Sequence, residues 1–249
     1  KNIVSAIYAI DRADESLADY DQAKTANVGV LRYKRSLSQD NYLGFTGTTR
    51  SRNGAINAVY GLDGQFRIKQ ANQLGAYFFN SVTRETEGGA IENRNSYSIN
   101  FSRNTRNFSG AFNYVDIEEG FQSDVGIVNR TGIRKITTSF SPKFYPEKGV
   151  IKRVDLTLYL TGTNDLPSGM NEGTVYTSVR ATLPKSTSLS LTANRSTEIY
   201  NNQSFDKDGL SLSASSQITK RIYFRTNYSM NKGIYYGTAE QGYGKRISA

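Results

Sequence analysis

The sequence predicts an all-β chain: an antiparallel, up-and-down transmembrane β-barrel, present as about 12–14 strands of a larger one. Three observations predict it. The first is alternation. Leu156, Leu158 and Leu160 alternate with Thr157, Tyr159 and Thr161. Leu189, Leu191 and Ala193 alternate with Ser190, Thr192 and Asn194, and Leu210, Leu212 and Ala214 with Ser211, Ser213 and Ser215. Successive side chains on a strand point to opposite faces, so each segment has one apolar and one polar face. The second is spacing. Turn signals fall about 13–20 residues apart, against about 8–12 in soluble sandwiches, and a strand needs about 9–11 residues within a bilayer. The third is a deficit: only 37% of residues are apolar. A soluble domain carries roughly 45–50%, counting Gly, so the shortfall fits a structure whose interior is polar.

Taken in order, the alternation predicts strands over 2–11, 26–37, 41–52, 55–69, 72–85, 90–103 and 107–117. It continues over 132–144, 150–163, 172–183, 186–199, 207–217 and 220–232. Turn residues separate them: Gln39-Asp40-Asn41, Asn53-Gly54, Gln70-Ala71-Asn72, Glu87-Gly88-Gly89, Asn104-Thr105, Pro146 to Gly149, Asp165 to Gly169, Pro184-Lys185, Asn201-Asn202, Thr219-Lys220 and Asn231-Lys232-Gly233. Asp206-Lys207-Asp208-Gly209 looks like the start of a calcium loop but lacks the downstream Glu, so it reads as a hairpin turn. Residues 12–25, with Asp14, Glu15, Asp19 and Asp21, read as an acidic loop, and 118–131 as an insert that does not alternate. Lys245 to Ala249 resembles the beginning of another strand. Residues 1–249 are therefore expected to be one β-barrel domain or a fragment of one.

Composition excludes much chemistry. The chain has no Cys and no His, so thiolate catalysis, disulfides, imidazole metal sites and Ser-His pairs are out of reach. Phosphate-binding, dinucleotide and HExxH signatures are absent, and no cofactor is implied. No apolar run is long enough for a transmembrane helix. The net charge of +9 is spread over Arg32, Lys34, Arg50, Arg67, Arg84, Arg103 and others rather than gathered on one patch. Dispersal argues against a nucleic-acid partner and for a basic lumen wall or strand ends facing anionic headgroups. Tyr42, Tyr145, Tyr200, Tyr235 and Tyr236 stand near segment ends. An interfacial girdle and plain β propensity both account for them.

The densest charge cluster is in the insert region. Asp116, Glu118, Glu119 and Asp124 precede Arg130 and Arg134. Paired carboxylates could perform glycosidic acid–base work. The favoured expectation is a plug or constriction whose acids pair with lumen arginines: Arg32, Arg67, Arg130 and Arg134.

Phe121 to Arg134 resembles the Phe-x-x-Asp-x-Gly-Phe/Ile-Val-x-Arg-Thr-x-x-Arg signature of an uncharacterised family of bacterial envelope proteins. In that family a carbohydrate-binding family 9-like (DOMON-like) β-sandwich precedes a large outer-membrane β-barrel. Asn27 to Arg35 is similar to its Asn-x-x-Val-x-Arg-x-x-Arg strand, and Asn57 to Gly64 to its Tyr-Gly-x-Asp strand. The resemblance implies a Gram-negative outer membrane and a further domain outside these residues, and brings no catalytic residues with it. The expected function is a pore or membrane scaffold for glycan or solute handling. Expected partners are membrane lipid or lipopolysaccharide, a glycan or other polar or anionic solute, and other envelope proteins. Three other readings stay open: a soluble glycan-binding β module, a glycan hydrolase using the 116–124 acids, and a subunit of a larger secretion or uptake complex.

Overall fold

The computed structural model describes residues 1–11 and 25–249, so all but the last residue of the expected 12–25 loop lies outside the described residues. Fourteen strands follow one another: β1 (Asn2–Asp11), β2 (Ala26–Ser38), β3 (Asn41–Arg52), β4 (Ala55–Ile68), β5 (Asn72–Arg84), β6 (Glu92–Asn104) and β7 (Phe108–Ile117). Then come β8 (Ile133–Phe144), β9 (Arg153–Asp165), β10 (Asn171–Leu183), β11 (Thr187–Tyr200), β12 (Gln203–Gln217), β13 (Tyr223–Tyr235) and β14 (Glu240–Ser248). They form one sheet in which each strand neighbours the next in sequence, with antiparallel ladders such as β1–β2 and β9–β10. The up-and-down order is as expected. Ring closure is not present: β14 does not pair with β1, and every residue of both strands is exposed.

Short turns set the register. Asn201 and Asn202 both have positive φ, 50° and 56°, as do Asn53 and Gly54, at 50° and 79°. Two left-handed residues in a two-residue loop match the twist of the flanking strands. The Asn201-Asn202 turn starts β12 earlier than alternation suggested, which corrects the expectation at Asp206 to Gly209. That tetrapeptide lies inside β12, paired residue by residue with β11 from Asn194 to Thr197. Asn231 to Gly233 is likewise no turn: it continues β13 against Gly242 to Gly244 of β14. In both cases an unbroken ladder satisfies the backbone, and Gly209 leaves room for the Asn194 and Asn231 side chains, which would crowd a Cβ there.

The chain divides into two compact units. The first comprises Lys1–Phe101 and Tyr114–Arg134, the second Ser102–Asn113 and Lys135–Ala249. Neither has an ordinary apolar core. In the first, Asn57 and Ser81 are 2% and 1% exposed, while Leu62 and Phe78 are 63% and 51% exposed. In the second, Thr163, Ser190 and Ser229 are buried while Leu191, Leu212 and Phe224 are exposed. The polar face of each unit is sheltered and the apolar face is open, the reverse of a water-soluble domain.

Candidate functional site

The polar face of the first unit is built around one fork. Arg32 on β2 reaches over β3 to Asp63 on β4, donating from Nη2 to Oδ2 at 2.8 Å and from Nη1 to Oδ1. Register makes the reach straightforward: Thr46 lies opposite Arg32, and Gly44 lies opposite Asp63. A Cβ on Gly44 would stand 2.5 Å from the Arg32 guanidinium, so glycine clears the path. Tyr42 and Tyr77 flank the pair in a recess of about 330 Å³. Both carboxylate oxygens are engaged, and the fork is charge-neutral.

The 118–132 insert is clamped to the same unit by Asn57. Its amide nitrogen donates to Thr83 Oγ1 at 2.9 Å and to the Gln122 carbonyl at 3.1 Å. Its Oδ1 accepts from the Asp124 amide at 2.9 Å. Phe121 is buried, and Arg50 stands 3.9 Å from the Asp124 carboxylate. The three stretches that resemble the envelope family thus meet in pairs: Arg32 with Asp63, and Asn57 with the segment around Asp124.

The remaining predicted charges scatter. Arg67 lies at the end of β4, bound to Asp40 at 2.9 Å and to the Gln70 carbonyl. Glu118 accepts from the Asn95 amide at 2.8 Å, Glu119 is exposed, and Arg130 is half-buried in the insert. Asp116 and Arg134 do pair, at 3.1 Å. However, they share a face with the exposed Phe112, Ile136 and Phe140. Asp116 also accepts from the Tyr97 and Tyr114 hydroxyls, at 2.9 and 3.2 Å, which is how a buried carboxylate is held beside apolar neighbours.

Sequence reasoning missed a second basic site. On the polar face of the second unit, Asp155 on β9 lies opposite Arg180 on β10. Asp155 Oδ2 accepts from Arg153 Nε at 2.9 Å and Nη2 at 2.7 Å. Lys143 on β8 lines the same recess. The signal was available: Arg153, Asp155 and Arg180 all occupy polar slots of the alternation, between Val154, Leu156, Val179 and Ala181. Elsewhere in this unit Glu198 takes Lys207 Nζ at 2.6 Å and the Tyr236 hydroxyl at 2.8 Å. Among the described residues no group of His, Cys, Asp and Glu could hold a metal ion.

A scan against protein-family models matches none of them, and a search of curated proteins returns no match. The resemblance to the envelope family therefore rests on the quoted residues alone.

Proposed function

We propose that this chain forms wall strands of an outer-membrane β-barrel that acts as a pore or scaffold for polar or anionic solutes. The observation that carries this is the inverted burial: small polar side chains are sheltered while Leu62, Phe78, Leu212 and Phe224 are open. Apolar area recurring on strand after strand far exceeds what soluble monomers expose, and lipid is the solvent that favours it. Strand lengths agree, since all but one have ten or more residues, against the roughly 9–11 a tilted strand needs to cross. The Tyr97–Asp116–Tyr114–Arg134 cluster fits a headgroup-level belt, where tyrosines and a basic group sit between lipid and water. The resemblance of Phe121 to Arg134 supports the same location.

In lipid no sheet edge stays open. The reading therefore requires the open edges of β1 and β14 to be hydrogen-bonded to further strands, which would make the chain part of a larger assembly. The test is flotation with phospholipid vesicles, using the full protein, followed by urea or carbonate extraction. Retention in the vesicle fraction is expected. A protein that stays monodisperse without detergent and fails to float would overturn the proposal and favour the soluble glycan-binding module.

A further inference from the structure

The polar face of the second unit holds more positive charge than it neutralises. Arg153, Arg180 and Lys143 border one recess of about 330 Å³ with a single carboxylate, Asp155. Arg153 engages Oδ2 of that carboxylate, while Oδ1 is buried and has no hydrogen-bond donor. Neither Arg180 nor Lys143 has an ion-pair partner among the described residues. The carboxylate is thus only half engaged, and the recess as a whole is net positive. Two unpaired cations beside it call for an anion, and an arginine fork suits carboxylate and phosphate alike. Tyr176 completes the wall with a ring and a hydroxyl, the amphipathic surface that a pyranose packs against. The volume is that of a small-molecule cleft at the low end of the usual range.

We propose that this recess binds a hydroxylated sugar anion, a sugar carboxylate or sugar phosphate. Its charged group lies between Arg180 and Lys143, and its hydroxylated ring packs against Tyr176 among the serine and threonine hydroxyls of the wall. The proposal deepens the preceding one by naming a solute class, and it rests on that reading for its meaning in transport.

The test is isothermal titration of the detergent-solubilised protein with glucuronate and glucose 6-phosphate, alongside glucose, acetate and inorganic phosphate. At least one sugar anion should bind at least about tenfold more tightly than glucose and than its bare anion, the size of one charged hydrogen bond. Arg180→Gln and Lys143→Gln should each weaken it by about the same factor. Lys220→Gln, an equal charge change in a distant exposed turn of the same unit, should leave it unchanged. Bare and sugar-linked anions binding equally would overturn the proposal, as would an equal loss in Lys220→Gln or no binding at all. The membrane reading fails separately: if the protein proves monodisperse without detergent, the same titration in that buffer still reports on the recess.

Discussion

Asp63 and Asp155 are both carboxylates on a polar sheet face beside an arginine, and they do different work. Asp63 gives both oxygens to Arg32, and Gly44 keeps the space between them open. Asp155 gives one oxygen to Arg153, two residues away on its own strand, and keeps the other without a donor. The first pair ties β2 to β4 and closes its own charge. The second ties nothing distant and leaves Arg180 and Lys143 over. A cross-strand fork with full valence is a brace, whereas a local contact that leaves two lining cations over is a place for something else to bind.

The largest test of this contrast is the loss of each carboxylate. Asp63→Ala leaves a half-buried guanidinium over Gly44, its side chain 30% exposed. Discounting for that exposure, the variant should lose about 2–3 kcal/mol in urea unfolding from detergent micelles. Asp155→Ala removes a carboxylate already short of one donor and should lose no more than about 1 kcal/mol. Equal losses would erase the distinction between brace and open site.

Asn57→Ala comes next. Asn57 carries three hydrogen bonds, two of them to the insert. We expect a loss of about 2 kcal/mol together with faster protease cleavage within 118–132. Unchanged cleavage would mean that Phe121, rather than Asn57, holds the insert.

Glycines sharpen the comparison on a smaller scale. A Cβ on Gly61 would strike the Phe78 carbonyl and stand 2.5 Å from the Phe79 ring, whereas one on Gly233 would meet nothing within 4 Å. Gly61→Ala should therefore cost about 1–2 kcal/mol by overpacking, and Gly233→Ala should stay within about 0.5 kcal/mol. Equivalent unfolding curves would show that the first unit's face is no tighter than the second's.

Most of the sheet was legible in the sequence because alternation and turn residues act locally. What was lost depends on register. Asp116 sits in Phe112-Asn113-Tyr114-Val115-Asp116-Ile117, where both faces are apolar enough that parity alone does not say which side is polar. Its charge suggests the polar face, whereas the Tyr97 and Tyr114 hydroxyls and Arg134 satisfy it on the face it shares with Tyr114. The Arg153–Asp155–Arg180 grouping needs the residue-by-residue β9–β10 register, which the Asp165 to Gly169 turn signal alone does not fix. The Asp206 to Gly209 error has the same origin: short polar residues and Gly favour turns, but the two left-handed asparagines upstream had already made one.

The smallest effect concerns Glu198, the second unit's own fully engaged carboxylate. Lys207 takes one oxygen at 2.6 Å and the Tyr236 hydroxyl the other at 2.8 Å. Its satisfaction shows that the second unit can fill a carboxylate, whereas Asp155 and Asp208 each keep a buried Oδ1 without a hydrogen-bond partner. Donation to Glu198 raises the Tyr236 phenol above its ordinary value. The sign follows: a raised folded-state pKa means that this contact contributes fully below the ordinary tyrosine range, near about 10. The contribution is lost as pH rises through the higher folded value. Subtracting the ultraviolet titration of Tyr236→Phe from that of the wild type should isolate one phenol that titrates late. With Lys207 still in place, the variant should unfold almost as the wild type does. A phenol titrating in the ordinary range would mean that Glu198 lacks this donor in solution. The second unit would then carry one more half-filled carboxylate beside Asp155 and Asp208, and the case for Asp155 as a selected binding feature would weaken.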